Sequence, residues 1–437
     1  MNIGIIGGGV AGLTAAYHLS RSGHKVTVLE QRSQLGGQAG TFMVDGARLE
    51  VFYHHLFTND TDVLSLIDEV GLGQKMVWLE SKVGFFHGGR IYNFVTATDL
   101  LKFTPISLID RIKLGLVGLQ LRRFKDWKKL EGVTAEDWIR SHAGKRNYEV
   151  VWGPLLKGKF GESASEVGMV WFWGKIHLRF ASRGKGGREK LGYMLGSFGQ
   201  LTDALAERIQ AQGGVLHTST QVKRILAEQG RVVGLNVEGK GRVPFDAVIV
   251  TVSSPAFLDI ASGLSEDYAS KLKLARYQAA VCLALVMKRS LSRIYWLNMS
   301  DPTIPFVAAI EHTNYIDRRN YGGKHILYLS NYLSPSHPLY HATRERLLIE
   351  YLPHLKKINP DFDPSWIEQS HLFRDEAGQP IITTNYSARI PDHRTPVKGL
   401  YLANTTQIYP QDRGVNYSVR LGRTVSSLLI GDTENGG

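Results

Sequence analysis

The run Ile3-Gly-Ile-Ile-Gly-Gly-Gly-Val-Ala-Gly12 constrains this chain more than any other stretch, because it demands a strand, a tight turn and a helix in immediate succession. Ile3, Ile5 and Ile6 make a buried strand, and Gly7, Gly9 and Gly12 fall on the G-x-G-x-x-G positions where bare backbone turns into a helix. The helix opening at Val10 and Ala11 offers unpaired N–H groups and a partial positive charge, which is what a diphosphate needs. A second apolar strand, Val26-Thr-Val-Leu, ends at Glu30, eighteen residues past Gly12, where a carboxylate is placed to accept hydrogen bonds from ribose hydroxyls. A glycine motif alone is a weak signal; here strand, helix and acid all stand at the required spacing. The carboxylate also argues against a 2′-phosphate, since two anions repel at one site. The nucleotide is therefore NAD-like or FAD.

Glu30-Gln31-Arg32 runs on to Leu35-Gly36-Gly37-Gln38-Ala39-Gly40, and this stretch decides between the two. A second glycine turn just past the ribose-binding acid extends the cradle toward a flavin ring. The pattern resembles the E-x-R-x-x-x-G-G extension of FAD-binding oxidoreductases, in which the glycine pair lies under the pyrophosphate and ribityl chain. The expected cofactor is FAD.

At 437 residues the chain is long enough for two or three folding units. Its one cysteine, Cys282, sits in the apolar run Ala279 to Met287 and reads as a core residue. With no disulfide framework within the chain and no charged leader before the first strand, the expectation is a reducing cytoplasm without a signal peptide. No run approaches the length of a membrane span. The formal net charge of +12 fits an anionic substrate, an acidic membrane surface or plain solubility, and no nucleic-acid-binding motif accompanies it.

The predicted architecture is α/β: a discontinuous Rossmann-type nucleotide domain, an α+β substrate domain and a helical insertion. Residues 1–95 read as strand, helix, strand and a loop-rich stretch from Val44 to Phe57. Residues 96–198 look mostly helical, with amphipathic spacing from Ser107 to Leu130 and a capping pair, Thr134 with Asp137. Residues 199–256 return to the nucleotide domain through an amphipathic helix at Gln200–Gln210 and a buried strand, Asp246 to Thr251, ending in a polar turn at Ser253–Ala256. Three β-rich runs within 257–380 predict a separate sheet, followed by a helix from Thr343 to Lys357. Residues 381–437 close the nucleotide domain with a strand at Gly399–Asn404 and a helix from Val415 to Ile430.

The whole pattern resembles the flavin-containing amine oxidase superfamily, which also holds protoporphyrinogen oxidases and phytoene- or squalene-type desaturases. The resemblance rests on the amino-terminal glycines with Gly36-Gly37, on Gly132 to Glu162 with its Pro154-Leu-Leu-Lys-Gly stretch, on Gly199-Gln-Leu-Thr-Asp-Ala-Leu205 and Val222, and on Gly399 to Gly414. It implies an FAD domain with a sheet-and-helix domain over the reactive flavin face. It also implies that Val222 meets the adenine through its backbone, and that Arg413, Gly414, Val415 and Asn416 place a helix N-terminus near the flavin pyrimidine ring. Two departures stand out. The ribityl contact, usually acidic or glycine, is here Asn404 and the residues after it. The usual acid-x-glycine-x-histidine loop is Glu50-Val-Phe-Tyr-His54-His55, with bulky Phe52 at the glycine position.

Flavin chemistry supplies the electron acceptor, so the protein need only position a C–H or N–H donor and exclude water. Tyr53, His54 and His55 stand on the loop that approaches the ring, where a histidine can exchange a proton near neutral pH; packing or a backbone hydrogen bond is the plainer role. Arg413 is a candidate for a cofactor or substrate anion, against an ordinary salt bridge. Trp171 to Arg179, followed by Arg183, Lys185, Arg188 and Lys190, combines aromatics with a basic loop able to close over a phosphate or carboxylate, or simply to be solvated. The basic amphipathic segment Ser107–Leu130 either lies on an anionic membrane or covers the substrate cavity. Pro338 between His337 and His341, with no nearby acid, argues against a metal.

With a single nucleotide fingerprint, the expected protein is an FAD-dependent oxidoreductase removing a hydride from a largely apolar small molecule, with an anionic group on that substrate left open. The alternative is a redox-neutral flavin isomerase or sugar-nucleotide mutase, permitted by the altered loop and basic patches. A flavin-holding interaction protein without turnover is a third reading.

Overall fold

A computed structural model describes residues 1–182 and 189–434. The amino-terminal run forms the strand Asn2–Ile6 in the middle of a five-stranded parallel sheet. Its order is Val215–His217, Lys25–Leu29, Asn2–Ile6, Ala247–Val250 and Leu400–Leu402. These strands are covered on both faces, which is why they read as continuous apolar runs. Ile3, Ile5, Val26, Val28 and Ile249 pack toward the helices Val10–Arg21, Gly199–Ala211 and Val415–Glu434. Ile6, Leu29, Val248, Val250 and Leu402 pack on the other side, against the antiparallel strands Val222–Glu228 and Arg231–Val237.

Parallel order places every strand's carboxyl end on one edge, where open α/β sheets bind their ligands. Gly7, Glu30 and Thr251 follow directly from three of those ends, and Asn404 stands two residues past a fourth. That edge is thus built from residues almost 400 positions apart in the chain, roughly the reach of the whole domain.

A second sheet of seven strands runs in the order Ile367–Pro380, Tyr277–Met287, His325–Leu333, Ala308–Glu311, Trp296–Met299, Val83–His87 and Arg90–Asn93. It is antiparallel except where Trp296–Met299 meets Val83–His87. Side-chain alternation divides its two faces. Val281, Leu283, Leu285, Leu297, Leu327 and Leu329 face the helix Arg344–Ile358, joining Leu347, Tyr351 and Leu355 in one core. Residues of the opposite parity, Ala280, Trp296, Asn298, Ala308, Ser330 and Tyr332, floor a cavity. The helices Leu108–Arg123, Gly153–Phe160 and Met169–Ala181 contribute its other walls.

Three local expectations change. The loop-rich stretch from Val44 narrows to residues 51–55: Thr41–Val44 pairs with Ala47–Glu50 through Asp45-Gly46, both at positive φ, the two-residue turn that matches strand twist, and Leu56–Phe57 is a short strand. Ser254–Ile260 is a helix with Pro255 in its first turn, so the polar residues after the buried strand open a helix. The helix expected through Leu130 ends at Arg123, and Trp127–Leu130 forms a 3₁₀ turn. Thr134 caps Ala135–His142 as anticipated, accepting the Asp137 N–H at 3.1 Å.

Candidate active site

The two glycine turns lie side by side. The Gly36 N–H donates to the Gly8 carbonyl at 2.8 Å, and Gly9 bridges Gly36 as a parallel pair. Gly7 has φ +106°, and a Cβ there would meet Thr251 Oγ1 at 2.5 Å. A Cβ on Gly12 would stand 2.0 Å from the Gly7 carbonyl oxygen, so only glycine permits the turn. Gly9 precedes the helix Val10–Arg21 and supplies no side-chain cap, leaving the first-turn N–H groups of Val10, Ala11 and Gly12 without an intrahelical acceptor.

Glu30 is buried, and its carboxylate accepts the Gly8 N–H at 2.7 Å and the Arg32 N–H at 2.8 Å. Next to it, the Thr220 N–H donates to the Glu30 carbonyl and the Ser219 N–H to the Arg32 carbonyl. Val222 begins its strand two residues later, so the chain brings Glu30, Gln31, Arg32 and Val222 to one place. Gln38 Nε2 donates to Ala377 O at 3.0 Å, and Arg32 pairs with Asp375 at 2.9 Å, tying the second glycine turn to the long strand of the other sheet.

From Gln38 a cavity of about 750 Å³ runs beneath Gly414, Val415, Asn416 and Tyr417. The helix Val415–Glu434 opens there, again with first-turn N–H groups beyond the reach of an intrahelical carbonyl. Asn416 Oδ1 accepts the Val63 N–H at 3.0 Å, while its Nδ2 is buried without an acceptor among the described residues. A buried orphan donor on the wall of a cavity fits an acceptor-rich ring. Asn404 behaves differently. Its side chain is engaged within the protein, donating to Val252 O at 3.1 Å and accepting from the Thr406 N–H at 3.1 Å.

Phe52, Tyr53, His54 and His55 line the cavity. Tyr53 shares a hydrogen bond with Ser330 Oγ at 3.1 Å and packs edge-on against Trp296. His54 Nδ1 faces the Phe52 carbonyl, and His55 Nδ1 lies 3.1 Å from the Tyr295 hydroxyl. Burial lowers the His54 pKa to about 4, against the pull of the Phe52 carbonyl. Burial, followed by the charges of Arg179 and Lys175, lowers that of His55 to about 3. Both imidazoles are neutral at pH 7, far from the near-neutral titration expected of an exposed histidine. The loop is anchored by Glu50, whose buried carboxylate accepts Ser197 Oγ and the Phe198 N–H, each at 2.8 Å.

Arg413 has neutral hydrogen-bond partners only: Tyr332 Oη at 3.1 Å, Gln379 Oε1 at 3.2 Å and Gln38 Oε1 at 3.4 Å. Beside it, Asp412 Oδ2 receives both Lys175 Nζ, at 2.7 Å, and Lys159 Nζ, at 3.1 Å. Asp412 Oδ1 accepts Trp171 Nε1 at 2.9 Å and Gln379 Nε2 at 3.0 Å. Burial opposes this ionisation, but Lys159, Lys175 and Arg413 outweigh it and hold the Asp412 carboxyl well below the usual range.

Sequence reasoning reached the glycines, Glu30, the histidine loop and Arg413. Lys159, Lys175, Asp412 and Tyr332 carry no motif of their own in the sequence, although Lys159 and Asp412 lie inside stretches that the family resemblance quotes and Lys175 lies in the run Trp171 to Arg179. The only signal was lysine within otherwise apolar helices. Arg183, Lys185 and Arg188 of the basic loop lie outside the described residues.

A glycine-turn edge facing an aromatic-lined cavity that opens beside the helix Leu108–Arg123 defines a two-lobed dinucleotide-binding protein of the flavoenzyme kind. The Flavin containing amine oxidoreductase family model matches residues 10–426, and the chain belongs to that family. It is similar to a probable zeta-carotene desaturase of Synechococcus elongatus, 27% identical over 253 residues that make up 52% of this chain and 51% of that one. The chain thus spans about half the length of that relative and 31% of a putrescine oxidase of Kocuria rosea. Among solved structures, an oxidoreductase from Methanosarcina mazei superposes with a TM-score of 0.76 at 20% identity, covering 98% of this chain and 100% of that one. Reduced UDP-galactopyranose mutase gives 0.76 at 16% identity, covering 98% and 95%. Likeness at these identities is likeness of fold.

Proposed function

We propose that this chain is an FAD-dependent oxidoreductase that removes a hydride from a largely apolar small molecule. The observation that carries the reading is a single cavity joining the second glycine turn and the Val415 helix end to a wall of Phe57, Phe85, Phe94, Leu114, Val117 and Phe172. Gly7, Gly9, Val10, Ala11 and Gly12 would hold the diphosphate, Glu30 the ribose, and Gln31, Arg32 and Val222 the adenine side. Gly36, Gly37, Gln38 and Asn404 would border the ribityl chain, and Gly414, Val415 and Asn416 the ring. When bound, the flavin supplies the two-electron acceptor.

The chain's own residues supply position, dryness and charge. Arg413, held by three neutral acceptors and with Asp412 and Asp375 acting on it only through space, keeps a positive charge beside the ring end of the cavity. The helix N-terminus at Val415 adds to that field. Tyr53, His54 and His55, uncharged and locked by Ser330, the Phe52 carbonyl and Tyr295, shape the reacting end.

Among the described residues no helix is long and apolar enough to cross a membrane. The helix Leu108–Arg123 buries Leu114, Val117 and Leu121, yet exposes Ile109, Ile112, Leu116 and Leu119 on its outer side, between the exposed bases Lys102, Lys113, Arg122 and Arg123. Ile112, Leu116 and Leu119 also line the cavity. A lipid surface with anionic headgroups matches both features of this helix and delivers apolar substrate to the opening.

Anaerobic mixing of the flavin-loaded protein with porphyrinogens, polyprenoids, amines and nucleotide sugars tests the reading. Bleaching of the yellow flavin by one of the first three classes is expected. Turnover of a nucleotide sugar only after prereduction, with the flavin left reduced, would replace it with mutase-like chemistry.

A further inference from the structure

The cavity's charge is out of balance in a way that neither a flavin nor an apolar substrate requires. Among the described residues its wall carries Arg111, Lys159, Lys175, Arg179 and Arg413 against two carboxylates, Asp60 and Asp412. Arg111 sits at the outer end, donating to the Leu101 and Ile106 carbonyls. The other four cations are gathered at the inner end. There, Lys159 and Lys175 share a single oxygen of Asp412, and Lys159 lies 5.4 Å from the Tyr332 ring that Arg413 also covers. Asp60 is partly committed elsewhere, accepting the Phe57 N–H at 2.8 Å.

Arg179 follows Lys175 by one turn on the helix Met169–Ala181, and both act on His55. Arg179 has no ion pair among the described residues. Grouping cations in a partly dry cavity is costly unless an anion completes the set. A flavin diphosphate cannot do so, because it belongs at the glycine turns on the other lobe. What remains is the substrate.

We propose that Lys159, Lys175 and Arg179 form a subsite for the anionic oxygen head, a phosphate ahead of a carboxylate, of a substrate whose apolar remainder extends toward the helix Leu108–Arg123. Asp412 holds the two lysines on one side, so that their remaining N–H donors and the Arg179 guanidinium converge on one ligand. The charge-assisted bonds would fix which carbon of a featureless chain faces the flavin. The inference rests on the oxidoreductase reading for that last step only.

The test titrates the flavin-loaded protein with octyl phosphate, octanoate, octanol and inorganic phosphate, below any micelle concentration, reading cavity tryptophan fluorescence and flavin absorbance. Octyl phosphate is expected to bind at least roughly tenfold tighter than octanol, with inorganic phosphate weak on its own. Arg179→Gln and Lys175→Gln should each reduce that preference roughly threefold or more, at unchanged flavin content and octanol affinity. Octanoate equal to octyl phosphate would assign the same cluster to a carboxylate head. Equal binding of octyl phosphate and octanol by the unmodified protein, which depends on no variant folding, overturns the proposal, as does a preference retained in both variants. The two readings fail separately. A headgroup preference without any substrate that bleaches the flavin sinks the hydride chemistry alone; bleaching without the preference sinks the subsite alone.

Discussion

The Lys175 ammonium rests 2.7 Å from Asp412 Oδ2 inside the cavity, and Lys159 reaches the same oxygen. One carboxylate cannot neutralise two ammonium groups. Burial lowers the Lys175 pKa to about 8, even with Asp412 raising it, because Lys159 and Arg179 push the other way. Lys175 is therefore charged below about pH 8 and loses its proton above it. A ligand that needs the charge must follow. Octyl sulfate, a monoanion throughout, is expected to bind with constant affinity between about pH 7 and 7.5, above the Asp60 titration, and to weaken roughly three- to tenfold by about pH 9. Lys175→Gln should flatten the profile. The groups facing Lys175 are Lys159, Asp412, Arg179, Asp60 and His55; of these His55 and Asp60, with pKa values lowered to about 3 and raised to about 6, have finished titrating before the decline begins. A profile level through pH 9 in the unmodified protein would contradict this account.

The first glycine turn has no room for a methyl group. At Gly12 the added Cβ would lie 2.0 Å from a backbone oxygen that cannot rotate away. Gly12→Ala is expected to leave the chain with under roughly a tenth of the flavin of the unmodified protein, measured as visible absorbance per polypeptide, because the turn must open to admit it. Gly431→Ala is the control: among the described residues nothing lies within 4 Å of its Cβ position, on the helix Val415–Glu434. Full flavin content in the Gly12 variant would mean that the diphosphate is held elsewhere.

These two cases mark what the sequence discloses. Gly12 is legible because its constraint is local: the strand, turn and helix that define it run from Asn2 to Arg21, one supersecondary unit. Glu30 and the buried strands are legible for the same reason. The cationic cluster is not, since Lys159, Lys175 and Asp412 come from three separate elements and meet only when the two sheets are assembled. The strands Val83–His87 and Trp296–Met299 are paired across more than 200 positions, with no periodicity to announce their partner. The histidines show a third kind of limit. Their place on the loop was readable, but their neutrality is a product of burial and of cations on a different helix.

Gly422 sets the distance between the first and last helices. Its Cβ position is 2.5 Å from Ala11 O and 2.7 Å from Thr14 Cβ, so the helices Val10–Arg21 and Val415–Glu434 touch backbone to side chain there. Gly422→Val is expected to destabilise the protein by about 1–3 kcal/mol, the usual cost of overpacking, and to lower its thermal midpoint. Because both helix N-termini border the cofactor edge, flavin content should fall as well. A variant as stable as the parent would show that the helices slide apart freely.

The outer side of Leu108–Arg123 gives the last prediction. Ile109, Ile112, Leu116 and Leu119 are 68%, 50%, 61% and 45% exposed, although their opposite face is already buried in the protein. Each such side chain gains about 1.5–3 kcal/mol on full burial, and a nearby lysine or arginine about 1 kcal/mol at an anionic surface. The flavin-loaded protein is therefore expected to sediment with phosphatidylglycerol-containing vesicles, less so with neutral ones, and less so again as salt is raised. Replacing the four residues with serine should cut the bound fraction by well over tenfold, since the apolar term then disappears while the bases remain. Octanol binding should fall far less than vesicle binding, because Leu114, Val117 and Leu121 keep the interior wall apolar although Ile112, Leu116 and Leu119 also border the cavity. Equal sedimentation of the variant and the parent would leave charge alone holding the protein to the surface, and the helix would then be only the outer wall of the cavity.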